Sequence, residues 1–340
     1  MGDFSMVPSY PPREGQVGFL FLPPYRVQGV SVAGEESAVQ VPELDICFDI
    51  GLCPRVVLPT PTVALTHAHM DHIGGLPYWF SQRTFQKLGC GRCICHPLVA
   101  PPLARMMHAW VDLELQRTPH EIVPLAPDAQ MEIKNNIWLR AIEVSHTSPA
   151  LGYAVIERRN KLKPEFTGLP QERLRELKAR GEEITRSIEI PLVAVTGDTE
   201  PGDFLHRREF LEAQIVISEC TFFDPEHRGR ARIGKHLHVE DIAALLKVWS
   251  STSVVLTHVS RRTTMSYARE RLQQLAGADA ERVLFLMDHR ANRARHERQL
   301  AAEQATRPLR EGAEGSALAA AVLPHATRAP SDEIMERSPE

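Results

Sequence analysis

Val63-Ala64-Leu65-Thr66-His67-Ala68-His69-Met70-Asp71-His72-Ile73-Gly74-Gly75-Leu76-Pro77 is the stretch on which the reading of this chain turns. A short apolar run, of the kind that forms a buried strand, leads into His-x-His-x-Asp-His, and the glycine pair then permits a sharp turn into the next element. Imidazole nitrogens and carboxylate oxygens are ligands that zinc takes at about 2.0–2.2 Å. Alternation along the chain lets His67 and His69 face one metal while Asp71 and His72, past the bend, reach a second. The plain alternative is a solvated polar loop, but chance rarely supplies four such groups at these spacings.

Three more apolar runs end on ligand types. The run Ile137 to Val144 leads through Ser145 to His146, Leu192 to Thr196 leads through Gly197 to Asp198, and Val254 to Thr257 leads to His258. Singly, each reads as a polar group at a strand end; jointly they supply what a two-metal site needs. Asp45 to Ile50, Ile215 to Ser218 and Val283 to Met287 also read as strands. Pro101 to Leu115, Gln171 to Lys178, Val239 to Trp249 and Thr264 to Leu275 read as helices. On the third of these helices Ile242, Leu245, Leu246 and Trp249 form one buried stripe. Short strands alternating with helices make an α/β chain with functional groups at strand ends.

With 340 residues, 43% hydrophobic and 24% charged, the composition is globular and allows about two domains or one large layered unit. A net charge of -4 excludes a uniformly basic nucleic-acid binder, so any polyanion must meet a local patch. No basic lead precedes an apolar core at the N-terminus, and the runs Val17 to Leu22 and Ala317 to Leu323 are too short to span a bilayer. A protein without membrane contact is expected, its six cysteines reduced in the cytoplasm. The stretch Cys90-Gly91-Arg92-Cys93-Ile94-Cys95-His96 invites a zinc-knuckle reading but lacks a second ligand pair, so ordinary thiols are expected. By composition, residues 1–24 form a partly ordered lead-in, 25–290 the catalytic unit, and 291–340 a frayed helix and disordered tail.

The order and context of these segments resemble the metallo-β-lactamase superfamily and, within it, the ribonuclease Z family of tRNA 3′-processing endonucleases in its short, plant-like form. Phe48-Asp49-Ile50-Gly51, His67 to His72, His146 with Gly152-Tyr153, Gly197-Asp198-Thr199 and Thr257-His258-Val259-Ser260 carry the likeness. So do Ser218-Glu219-Cys220-Thr221-Phe222 and Lys235-His236-Leu237-His238. The resemblance implies a four-layer αββα sandwich with a dinuclear zinc site at one edge; manganese or iron could be the native metal. It further implies that His67, His69 and His146 hold the first ion, that Asp71, His72 and His258 hold the second, and that Asp198 bridges. Asp49 would orient ligands. Asp71, Glu219 and His238 would form the catalytic set, with His238, oriented by Glu219, protonating the leaving oxygen. Precursor tRNA is the implied substrate and a homodimer the implied assembly.

Two features sit beside the family pattern. Val259 and Thr263 stand where the last motif has Phe and Tyr. Between Glu157 and Arg186 an insert carries nine cations against six anions in an otherwise acidic chain, which reads as an RNA-binding arm or a solvated helical face. The rival functions are a small-molecule hydrolase acting on a phosphodiester, lactone or sulfate ester, and a metal-free RNA-binding protein. All seven ligand positions carry competent side chains, which disfavours the second.

Overall fold

The computed structural model describes residues 17–306. Fourteen strands make two seven-stranded mixed sheets. The first contains β1 (Gly18–Leu22), β2 (Tyr25–Val32), β3 (Glu36–Val41), β4 (Ile46–Phe48), β5 (Thr62–Ala64), β6 (Arg92–Cys95) and β7 (Glu121–Pro124), paired in that order. The second contains β8 (Gln130–Lys134), β9 (Ile137–Val144), β10 (Ala150–Leu162), β11 (Thr185–Val195), β12 (Ile215–Glu219), β13 (Ser253–Thr257) and β14 (Val283–Phe285), again in chain order. In each half four antiparallel strands come first and parallel strands follow. A parallel neighbour requires a crossover, so helices fall on the outer faces.

Three buried clusters define the layers. Val39, Phe48 and Ile94 of the first sheet meet Leu139, Tyr153, Val193 and Ile217 of the second between the sheets. Helix Leu76–Phe85 and helix Ala100–Glu114 pack Trp79, Phe80 and Met107 on the outer face of the first sheet. Phe210, Ile242, Trp249 and Leu272 cover the second. This is the expected αββα sandwich. Helix Val239–Leu245 is shorter than expected, but the stripe Ile242, Leu245, Leu246 and Trp249 is buried throughout.

Two boundaries of the sequence reading fall inside ordered elements. Gly18–Leu22, within the stretch read as a partly ordered lead-in, is a fully buried strand. Helix His289–Thr306 is continuous rather than frayed and packs on that strand: Leu300 lies against Phe19 and Phe21, and the Gln299 side-chain amide donates to the Phe21 carbonyl. This helix is polar overall, so periodicity alone does not reveal the contact. The remainder of the expected tail lies outside the described residues. Cys93 and Cys95 are buried in the core under Trp79 and Phe80, and burial pushes both thiols up, as the plain reading of that stretch expects.

The insert is a ribbon. β9 pairs with β10 only as far as Glu157, whereas β10 and β11 continue together to Leu162 and Thr185 and enclose helix Gln171–Ala179. Four of its cations are neutralised. Arg158 binds Glu189 and lies 3.9 Å over the Trp138 ring, Arg159 binds Glu157, Lys163 binds Glu183 and Arg173 binds Glu176. Lys161, Arg175, Lys178, Arg180 and Arg186 are exposed and make no ion pair among the described residues.

Candidate metal centre

Every ligand type singled out in the sequence follows a strand and reaches the same edge of the sandwich, as expected where ligands collect at the carboxyl ends of parallel strands. His67 and His69 follow β5, Asp49 follows β4, His146 β9, Asp198 β11 and His258 β13. Asp71 and His72 sit in a single helical turn, Met70–Ile73. The glycine after that turn is required by space rather than by φ: a Cβ on Gly75 would lie 2.7 Å from the Cys53 nitrogen. Gly197 has φ +61°, and a Cβ there would lie 2.7 Å from that of Thr66. Asp49 and His258 also have left-handed φ, 61° and 57°. Non-glycine residues adopt that region at a cost of roughly 1–3 kcal/mol, and such positions gather at functional sites.

The inward atoms form two groups that share Asp198. His67 Nε2 lies 2.9 Å from His69 Nδ1, and His146 Nε2 lies 3.3 Å from that same atom. Around the second point, Asp198 Oδ2 is 3.3 Å from His72 Nε2 and 3.2 Å from His258 Nε2, and Asp71 Oδ2 is 3.6 and 3.5 Å from those nitrogens. Asp198 Oδ2 is also 3.9 Å from His67 Nε2. Ligands about 2.0–2.1 Å from a tetrahedral ion stand roughly 3.3 Å apart, so these groups are spaced closely enough to share cations. His72 Nε2 and His258 Nε2 are buried without a hydrogen-bond partner, and a bound ion removes that cost.

The outward nitrogens fix the tautomers. His72 Nδ1 donates to Asp49 (2.8 Å), His67 Nδ1 to Thr66 (3.0 Å), His258 Nδ1 to Thr221 (2.9 Å) and His146 Nδ1 to the Lys235 carbonyl (3.1 Å). In its neutral form each of the four therefore keeps its lone pair on Nε2, and such partners hold a metal-binding ring in place. Burial lowers His67 to about 2, so it is neutral and fit to coordinate. Burial opposes charge on Asp198 and Asp71, yet the neighbouring histidines hold both well below the usual carboxylate range. Burial likewise opposes a proton on His72, but Asp198 and Asp49 raise it well above its ordinary value. This edge of the sandwich therefore calls for positive charge.

One expectation is corrected. Glu219 pairs with His236, not His238: Glu219 Oε1 accepts from His236 Nδ1 at 3.0 Å. Glu219 is held by the Thr199 amide (2.7 Å) and the Thr221 hydroxyl (2.6 Å). The His236 ring stacks 5.3 Å from that of His258 and lies 5.1 Å from that of His146. Burial disfavours its charge, but Glu219 raises it to about 9. His238 is fully buried and caps helix Val239–Leu245: its Nδ1 accepts from the Glu240 amide, and Asp241 closes the capping box. Its Nε2 donates to the Asp224 carbonyl. Ser, Thr, Asp and Asn ordinarily fill that capping position; here a histidine two residues beyond His236 fills it.

Several residues of the quoted motifs have supporting roles that the sequence did not assign. Tyr153, fully buried, donates to the Leu65 carbonyl at 2.7 Å and anchors the strand that carries the motif. Thr66, Thr221 and the Lys235 carbonyl orient ligands, the last through a left-handed residue (φ 53°) whose role no sequence pattern announces.

A family model described as a β-lactamase superfamily domain matches residues 54–259. The chain is 32% identical to tRNase Z TRZ2, chloroplastic, of Arabidopsis thaliana over 78% of its length and 76% of the relative's. It is 31% identical to tRNase Z TRZ1 of the same plant, over 74% of its length and 91% of that protein's. The solved structure of human tRNase Z, short form, superposes with a TM-score of 0.53 at 17% identity, covering 80% of this chain and 96% of that one. This last likeness bears on the fold alone. A divalent metal centre at the sheet edge, the domain match and relatives above 30% identity along most of their length place this chain in the β-lactamase superfamily and, within it, in the tRNase Z (ribonuclease Z) family.

Proposed function

We propose that the chain is a zinc-dependent endoribonuclease that cleaves the 3′ trailer from precursor tRNA. The observation that carries this reading is the Glu219–His236 pair beside the seven-ligand cluster, because a leaving ribose oxygen needs a proton and this imidazole, held by Glu219, is placed to give one. Relatives named tRNase Z support the substrate class. His67, His69, His146 and Asp198 would hold one ion and Asp71, His72, His258 and the shared Asp198 the other. Two bound ions supply Lewis-acid polarisation of the phosphoryl group and a nucleophile at neutral pH.

The chain's own residues do the rest. Asp71, partly open to solvent and fixed by the Gly34 amide at 2.9 Å, accepts a hydrogen bond from the attacking water. His236 gives its proton to the departing ribose 3′-oxygen, and Glu219 holds the ring by Nδ1. Asp49 keeps His72 in its ligating tautomer. The test is a comparison of a 3′-extended tRNA transcript with an aryl phosphodiester. Single cleavage of the transcript at the trailer junction is expected, and turnover of the aryl ester alone would favour the small-molecule rival.

The ribbon of residues 157–186 serves as the RNA arm in this reading. Its unpaired cations, Lys161, Arg175, Lys178, Arg180 and Arg186, are the group to neutralise, since three of the four nearest its base are held by carboxylates. Changing these five to Ala should weaken tRNA binding and flatten its dependence on salt by about 0.7–0.9 in log–log slope per lost phosphate contact. An unchanged slope would make the ribbon a solvated face. The reading includes a homodimer in a reducing cytoplasm. Six free cysteines and the exposed Trp110, Leu113 and Leu115 support it, and light scattering against the 38.1 kDa chain mass tests the assembly. Among the described residues no helix is long and apolar enough to cross a membrane.

A further inference from the structure

A cavity of about 770 Å³ lies beside the metal centre, and nothing in the mechanism above uses it. It falls in the range of about 300–1,000 Å³ usual for small-ligand sites. One wall is the loop from Ser145 to Ala150, which turns His146 Nε2 toward the metal ligands. Whatever occupies the cavity is therefore a near neighbour of the reacting phosphate. Leu98 and Phe204 give it apolar surface, and the His96 ring is held by accepting the Leu98 amide at 3.1 Å.

Charge decides what fits. Arg207, the cation of the lining, is neutralised by Asp128 at 2.5 Å and by Glu209 at 3.2 Å. Glu143 is exposed and, among the described residues, its carboxylate has neither an ion pair nor a hydrogen bond; it acts only through space on His96. A phosphate would meet an unpaired anion here and no free cation. A flat ring with apolar faces and an N–H donor at its edge would meet both Phe204 and Glu143 favourably.

We propose that this cavity reads a nucleobase flanking the cut, with Glu143 accepting from an exocyclic amino group and Phe204 lying against the ring. The inference rests on the RNA reading above and adds a specificity residue to it. Cytosine and uracil have nearly the same shape, but cytosine presents an amino donor where uracil presents a carbonyl acceptor. A carboxylate therefore favours cytosine, and a good contact of this type discriminates by roughly tenfold.

The test uses matched transcripts that carry C or U at each of the two positions on either side of the cleavage site, in single-turnover reactions. At one position the wild type should cut the C transcript about tenfold faster, and Glu143→Gln, whose amide can also donate, should level or reverse that ratio. Phe204→Leu should slow both transcripts and keep the ratio. Equal rates with C and U at all four positions, or a ratio that survives Glu143→Gln, would overturn the subsite while leaving the RNA reading in place. If the wild type cuts no transcript but hydrolyses an aryl phosphodiester, the RNA reading fails and the subsite with it. Glu143 is exposed, so the substitution puts no core packing at risk.

Discussion

Stripping the protein with a chelator should abolish hydrolysis of RNA and aryl phosphodiester alike, and metal analysis of the unstripped protein should return about two zinc-like ions per chain. The expectation follows from the charge at the sheet edge. Asp49 and Asp198 are buried and Asp71 is partly so, and two imidazole nitrogens point at carboxylates without a hydrogen-bond partner. An ion present at a thousand times its dissociation constant stabilises the fold by about 4 kcal/mol, so loading should raise the melting temperature by roughly 6 °C.

The sign of the accompanying proton exchange can be worked out. Asp198 and Asp49 raise His72 above its ordinary value, so the stripped protein carries a proton on His72 near neutral pH. The stability this proton confers is complete below the unfolded value and is lost as pH rises through the folded one. A ligand nitrogen must give up its proton to bind; loading at pH 7.5 should therefore release about one proton per chain, read by calorimetry in buffers of different ionisation enthalpy. One ion or none, with activity intact, would overturn the two-ion reading.

The residues of the cluster were legible because each lies within a few residues of an apolar run, or in the turn after β5, and strand ends are where an α/β sheet exposes chemistry. Strand β9 is found where the sequence places it, Ile137–Val144, because apolar alternation and flanking turn residues agree there. Other features are carried by partners distant in the chain. Strand Gly18–Leu22 follows a Pro/Gly-rich lead and is stabilised by a polar helix nearly 300 residues later. The ribbon's excess of cations was legible but which of them are free was not, since local sequence does not reveal that Glu189 and Glu183 fold back on Arg158 and Lys163. The order Lys235-His236-Leu237-His238 offers two histidines and no reason to prefer the first. The start of a helix at Val239 supplies that reason, because it converts His238 into a cap and leaves His236 facing the site.

Replacing His236 with Ala should cost about 10²–10⁴-fold on the tRNA transcript, the usual contribution of a positioned acid, with both metals retained. An aryl phosphodiester, whose leaving group departs with little protonation, should lose much less. Ala at His238 should behave differently. It removes a helix cap worth about 1 kcal/mol and an imidazole that is fully buried, so the loss should appear as a lower melting temperature, with the two substrates affected equally. Glu219 separates positioning from simple structure. Glu219→Gln preserves the shape of a side chain bonded to Thr199, Thr221 and His236 but removes the charge that favours the imidazolium. The alkaline fall of the rate on RNA, which marks loss of the acid's proton, should therefore move to lower pH in Glu219→Gln and disappear in His236→Ala. Equal losses on both substrates in His236→Ala, or an alkaline limb that stays in place in Glu219→Gln, would remove His236 from the role of acid and leave the leaving oxygen to solvent or to a metal.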